Sequence, residues 1–449
     1  MTKAVHENNF TSGPIAGPLI RFALPVLLAL FLQSMYGAVD LLIVGLFAES
    51  SDISAVATGS QFMHTMTGMI AGLSMGTTIL LGQQIGEGRG KEGGKTVGAS
   101  IVLFLIVAAV MSVTLVCSAN GLARLLQAPE EAYPAAVSYL RICGAGSAVI
   151  IAYNLIGSIF RGIGDSKTPL ITVAIACVCN ILGDLLLVGV FHMGTAGAAY
   201  ATVAAQAISV IMSFLIIRKK TLPFSFSKEM IRPDMPRIKR VCFLGIPIAL
   251  QDLLVGISFL VIQAIVNTLG VIPSAGVGVA EKMVGFIMLV PSAFMQSLSA
   301  FVAQNIGAGR RDRAEKTLQI GIGLSFAVGV LMAVLSFFFG KQLSGLFTKD
   351  AAVIAASADY LKAYAIDCLL TPVFFCFIGF YNGIGLTAFV MLQGIVSAFL
   401  VRVPVSFLMS RRVPVSLFHI GLATPASSLL QIVMCLICMM YVKKKYWKQ

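Results

Sequence analysis

Two aspartates stand inside otherwise apolar runs, Asp40 in "YGAVDLLIVG" and Asp184 in "CNILGDLLLVG". Burying a charge in a bilayer costs at least about 2.5–3.5 kcal/mol, so it persists only beside a partner or a wet cavity. Tyr36 precedes Asp40 by four residues and Asn180 precedes Asp184 by four, which puts each pair on one helix face. Two carboxylates with an amide and a phenol nearby make an oxygen-rich set. Such a set takes a small hard cation or a proton. The alternative reading of the same residues is a structural bond between helices. Asp252, Asp367, Glu281, Lys282 and Arg402 also fall within apolar segments. Glu281 beside Lys282 reads equally as a helix-end pair, and Arg402 as a counter-ion for one of the acids. His64 reads as a packing group. No nucleophile–base set and no cluster with metal-ligand spacing is present in the sequence, so neither an enzyme nor a bound cofactor is expected.

The elements that must carry these residues are membrane helices. The chain of 449 residues is 58% hydrophobic and 11% charged, with a mean hydropathy of +0.93; soluble domains carry about 25% charged residues. Apolar segments fall near residues 19–47, 53–81, 97–117, 139–160, 168–190 and 196–217, then near 241–269, 275–303, 317–339, 361–381, 389–409 and 421–442. Each approaches or exceeds the roughly 20 residues that span a bilayer. A transmembrane barrel would alternate over about ten residues instead. The expected fold is an all-α integral membrane protein of about twelve spans.

The net charge of +13 does not point to nucleic acid, because the basic residues lie between the apolar runs. With alternating helices, Arg89, Lys91, Lys95, Arg161, Lys167, the basic residues of 218–240, Arg310, Arg311, Arg313, Lys316 and the terminal "KKKYWK" share one side. Lysine and arginine favour the cytoplasm, so both termini are expected there, in the cell inner (plasma) membrane. The N-terminal run is too long for a cleaved signal. The nine cysteines lie almost wholly in apolar runs and read as reduced thiols.

The chain repeats itself. "GQQIGEGRGKEGGKT" at 82–96 returns as "AQNIGAGRRDRAEKT" at 303–317, and "FRGIG" at 160–164 as "YNGIG" at 381–385, each 221 residues on. Pro25 and Pro247 stand 222 apart. Each half holds six helices, an even number, so the halves share one orientation, as in parallel-repeat transporters. The expected organisation is an N-terminal bundle (1–217), a basic cytoplasmic linker (218–240) and a C-terminal bundle (241–449). The ending Gly94-Lys95-Thr96 mimics a phosphate loop, but the first glycine of that motif would fall at Arg89, inside a membrane-helix end.

"FRGIGDSKTP", "DLLIVG" and the duplicated "GQQIGEG"/"AQNIGAG" together resemble the multidrug and toxic compound extrusion (MATE) family, over nearly the whole chain. The resemblance implies two bundles in a V, and export of amphipathic, often cationic drugs in exchange for protons or sodium ions. In the prokaryotic DinF-like branch it implies a cation-coupling set that Asp40, Asn180, Asp184 and Thr202 match here, with Tyr36 beside them and a helix-1 bend at Pro25. Gln33 and Asn154 match cavity-lining positions. Asp252 and Asp367 are further cavity candidates. The NorM-like branch has a glutamate where Val255 stands, which places coupling mainly in the N-terminal half. The expectation is an antiporter working by alternating access as a monomer, with small-molecule drugs and membrane lipids as partners. The alternatives are a lipid-linked precursor flippase of the wider superfamily, whose cavity would be more cationic, and an ion channel or sensory membrane protein.

Overall fold

A computed structural model describes residues 10–446, without the side chains of Lys445 and Tyr446. Trp447 and Lys448 of the terminal basic stretch and the residues before Phe10 lie outside the described residues. The helices are α1 (Ala16–Phe47), α2 (Ser50–Gly86), α3 (Gly90–Leu125), α4 (Tyr133–Ala145), α5 (Ser147–Gly162), α6 (Lys167–Asp184), α7 (Gly194–Lys219), α8 (Met235–Asn267) and α9 (Val271–Ile287). They continue with α10 (Leu289–Gly307), α11 (Arg311–Phe338), α12 (Gly340–Ser344), α13 (Ala351–Ile384), α14 (Thr387–Ser397), α15 (Val403–Ser410), α16 (Leu417–Gly421) and α17 (Ala423–Tyr446). π-helical turns, Leu185–Val190 and Ala398–Arg402, extend α6 and join α14 to α15.

Among the described residues, eleven helical stretches are long and apolar enough to cross a membrane, or twelve when α4 and α5, bent by 53°, count as one span. This is the all-α membrane architecture that the apolar runs predict. The bend falls at Gly146, where a Cβ would meet Val203 Cγ2 of α7 at 2.6 Å. Leu42, Leu46, Val110, Val113, Ile211 and Phe214 stay exposed, a surface suited to lipid and costly in water.

By packing, the chain forms two compact units, one holding Leu24–Ala249, the other Phe10–Ala23 and the residues from Leu250 onward. The cuts differ from the expected 1–217, 218–240 and 241–449, and two lead-in segments explain why. In the first unit the linker residue Phe224 is buried against Leu81 and Val97. Gly94 and Gly98 of α3 lie beneath the linker, where a Cβ would come within 2.0 Å of the Ser225 and Met230 carbonyl oxygens. Arg237 pairs with Glu92 and Asp234, and Lys220 Nζ donates to Asp165 Oδ2 at 2.6 Å. The start of α8 follows: Cβ atoms at Gly76 and Gly245 would sit 2.4 Å from Val241 O and 2.2 Å from Leu73 O. Helices in lipid meet this closely through small residues.

The second unit receives the segment before α1 in the same manner. Phe10 is 1% exposed, stacked on Phe301 with ring centres 4.4 Å apart and edge-on to Phe22 at 5.1 Å. Arg313 donates through Nε to Phe10 O (2.8 Å), through Nη1 to Gly13 O (2.6 Å) and through Nη2 to Ser12 O (2.9 Å). Asn305 Nδ2 adds a bond to Phe10 O at 3.1 Å. Each half's lead-in thus packs in the unit that holds most of the other half. Glu92 and Arg313, which grip them, stand 221 residues apart in the duplicated phrase. The phrase itself forms the exit turns after α2 and α10, with Gly88 and Gly309 at φ 72° and 70°, a region that glycine enters without strain. Thr96 Oγ1 bonds Gln84 Oε1 across the first turn at 2.7 Å, and Lys95 pairs with Glu92, so Gly94-Lys95-Thr96 belongs to helix packing. The unit boundaries fall beside Pro25 in α1 and Pro247 in α8.

Candidate functional site

Three helices of the first unit bring their polar faces together. α1 supplies Tyr36 and Asp40, α6 supplies Asn180 and Asp184, and α7 supplies Thr202. Within each pair the residues are four apart, and helical pitch aligns them. The first π-helical turn begins at Leu185, directly after Asp184. Such widened turns are frequent at functional sites, because they re-aim side chains without ending the helix.

Asp40 is 3% exposed and Asn180 and Asp184 are fully enclosed. Thr202 Oγ1 donates to Asp40 Oδ2 at 3.2 Å, and Tyr36 Oη donates to the Thr202 carbonyl at 3.2 Å. Asp184, Thr202 and Asn180 all act on the Asp40 carboxyl. Among the described residues, Asp40 Oδ1, both Asp184 oxygens, and both Asn180 side-chain polar atoms have no hydrogen-bond partner. A buried polar atom left in this way is rare and demands a reason. Two carboxylates enclosed together repel each other when both are ionised, and a proton or a cation between them removes the repulsion. The donor set, two carboxylates, one amide oxygen and one hydroxyl, is all hard oxygen and fits sodium as well as a proton.

The remaining candidates are distributed. Gln33 is exposed, and its Nε2 donates to Tyr153 Oη at 2.8 Å. Asn154 Nδ2 bonds the Ile150 carbonyl of its own helix at 2.9 Å. Pro25 lies inside α1. Asp252 is exposed on α8, in the second unit. Asp367, 2% exposed in α13 of the second unit, accepts from Thr371 Oγ1 at 2.8 Å and Ser428 Oγ at 2.6 Å.

Two tyrosines join this environment without having been singled out in the sequence. Tyr153 acts on Tyr36. Tyr139 of α4 is buried and feels both Asp40 and Tyr36. On the same helix as Thr202, Gln206 has a buried Oε1 that finds no partner among the described residues. Its position four residues after Thr202 is a signal the sequence carried. The tyrosines gave no such signal, since they come from other helices.

An almost wholly helical chain with membrane-length spans and its acids, amide and hydroxyl gathered inside one unit is a polytopic membrane protein built around a buried polar site. The chain belongs to the MatE family, whose model matches residues 25–186 and again 247–408. The double match bears out the internal repeat. The chain is 30% identical over 410 residues to the probable multidrug resistance protein YpnP of Bacillus subtilis (strain 168), covering 90% of each. It is 25% identical over 411 residues to the multidrug export protein MepA of Staphylococcus aureus (strain N315), covering 89% of this chain and 88% of that one. Its fold matches that of a multidrug resistance MATE family transporter of the MOP superfamily in an outward-facing conformation, with a TM-score of 0.90 and 20% identity over 99% of this chain and 100% of the other. Members of the family are membrane transporters, not enzymes.

Proposed function

We propose that this chain is a secondary active multidrug exporter, moving amphipathic, often cationic small molecules outward in exchange for protons or sodium ions. One observation carries the reading: Asp40 and Asp184 are enclosed together, and among the described residues Thr202 is the one hydrogen-bond donor to their four carboxylate oxygens. The names of the relatives supply the substrate class. Asp40 and Asp184 are the groups that take the coupling cation, with the Asn180 amide oxygen and the Thr202 hydroxyl completing its surroundings, and Tyr36 tying α1 to α7. Gln33, Asn154, Asp252 and Asp367 remain candidate substrate contacts.

Cation arrival at the two acids removes their repulsion and lets α1 and α6 draw together. Pro25 lacks the amide that would bond back along α1, so the helix bends there at low cost. Ion and drug then favour different states. A difference of about 1.4 kcal/mol between those states changes affinity tenfold, enough for useful exchange. Both termini lie on the cytoplasmic side of the plasma membrane in this reading, because the basic loops gather there, and the working form is a monomer.

The test is efflux of a fluorescent cationic dye from reconstituted vesicles, with a proton gradient and a sodium gradient imposed separately. Wild type should respond to one of them. Asp40→Asn should lose gradient-driven efflux while remaining folded in the membrane. Undiminished efflux by Asp40→Asn removes that carboxyl from the mechanism.

A further inference from the structure

The stretch between α7 and α8 keeps most of its positive charge after its own pairing. Residues 218–240 hold eight lysines and arginines against two acids, Glu229 and Asp234. Lys220 is taken by Asp165, and Arg237 by Asp234 and Glu92. Arg218, Lys219, Lys228, Arg232, Lys239 and Arg240 are all exposed, and none of the ion pairs among the described residues includes them. The linker itself is held in place. Phe224 is buried, the Met230 side chain lies against Gly94, and the Ser225 and Met230 carbonyls rest on the glycine floor of α3. The six cations therefore stand on or beside a fixed segment of the first unit.

Helical pitch sets their height. On α7 the exposed Phe214 and Leu215 are followed four residues later by Arg218 and Lys219. On α8 the order reverses: Lys239 and Arg240 come one turn before the exposed Phe243, and Ile246 continues that face. Each cation pair thus stands roughly 5–6 Å beyond exposed apolar side chains of its own span. At that height a lysine or arginine reaches phosphate while its stem stays against hydrocarbon. Arg240 lies close to that apolar row, with its guanidinium carbon 5.6 Å from the centre of the Phe243 ring. Between the two spans, Phe226, Ile231 and Met235 remain exposed beside Lys228 and Arg232. Apolar tips interleaved with cations suit the headgroup layer, where both kinds of side chain find partners. A soluble anion would use only the charges.

We propose that the seated linker and the helix ends beside it form a docking surface for anionic phospholipid headgroups. Arg218 and Lys219 on one span, and Lys239 and Arg240 on the other, take the phosphates. Lys228 and Arg232 add charge between them, and Phe226, Ile231 and Met235 enter the layer just beneath the headgroups. Six cations outside ion pairs against Glu229 give the surface its preference for negative lipid. The proposal does not depend on the exchange described above, since none of these side chains is among Tyr36, Asp40, Asn180, Asp184 and Thr202.

The experiment uses the full-length protein in a neutral detergent. It is titrated with phosphatidylglycerol or with phosphatidylcholine of the same acyl chains, and bound lipid is counted by native mass spectrometry. Wild type should bind its first phosphatidylglycerol about tenfold or more tighter than its first phosphatidylcholine. Lys239→Gln with Arg240→Gln should weaken that binding about fivefold for each charge removed and leave phosphatidylcholine unchanged. Arg218→Gln with Lys219→Gln should give the same loss, which keeps the test open should the first pair fail to fold. Phe226→Ser should weaken both lipids. Lys341→Gln with Lys349→Gln, exposed cations of the second unit, should change neither. Equal binding of the two lipids by wild type overturns the proposal, and so does a phosphatidylglycerol preference that survives both double substitutions in the first unit. Displacement of phosphatidylglycerol by millimolar inorganic phosphate also overturns it, since the occupant would then be a soluble anion.

Discussion

The lead-in before α1 gives a prediction whose size follows from its contacts. Phe10 is 1% exposed, with Phe301 and Phe22 around it, so Phe10→Ala leaves a cavity worth about 3–5 kcal/mol. Roughly 0.5–1.5 kcal/mol of that belongs to each ring pair. Arg313 makes three bonds of 2.6–2.9 Å to the lead-in carbonyls. At a net of about 0.5–1.5 kcal/mol each, Arg313→Ala removes roughly 2–4 kcal/mol. Both changes act on a local clasp, so the loss is felt as local opening more than global unfolding. A loss of about 3–5 kcal/mol raises the open population by roughly two to three and a half orders of magnitude. Hydrogen exchange read by mass on a peptide covering residues 10–23 reports it, since the first turn of α1, including the Leu19 amide bonded to Ile15 O, opens with the clasp. Both variants should exchange faster there, and Phe10→Ala should exchange fastest. Unchanged exchange in both would mean that the lead-in is not held by these residues.

Other expectations follow from single contacts. Thr202→Val keeps the shape but removes the hydroxyl bonded to Asp40 Oδ2; a bond to a charged acceptor contributes about 1.5–3 kcal/mol, so the cation concentration for half-maximal efflux should change by about tenfold or more, and an unchanged value would exclude Thr202 from the set. Gly98→Val would push a Cβ to 2.0 Å from Met230 O and should speed exchange across residues 222–234, whereas Gly121→Val, with nothing within 4 Å, should leave it unchanged. Asp165 accepts from the Lys167 and Thr168 amides, from Thr168 Oγ1 and from Lys220 Nζ. Asp165→Ala should therefore cost about 1–2 kcal/mol as a lost cap of α6, visible as a lower melting temperature in detergent.

The spans, the duplication and the i,i+4 pairs were legible because each is a local signal: run length, repeat spacing and helical pitch. The exchange of lead-ins was not. Phe10 and Phe224 sit in short polar stretches whose composition suggests loops, and only the glycine-floored groove of α3 and the rings of α1 and α10 show where they insert. The bend between α4 and α5 was hidden in one apolar run, and the close neighbour of its Gly146, Val203, lies on another helix.

The acids make the same point about function. Asp40 begins "DLLIVG" and Asp252 begins "DLLVG", near-identical text on the first helix of each half. Yet Asp40 is 3% exposed, with Thr202 donating to it, and Asp252 is exposed. What sets Asp40 apart is the surrounding structure: α7 offers it a hydroxyl, and α6 an aspartate and an asparagine. A carboxylate's position in an apolar run therefore marks it as a candidate. In the proposed exchange, which acid takes a cation follows from the groups that the neighbouring helices bring to it, and those come from the packing of distant segments.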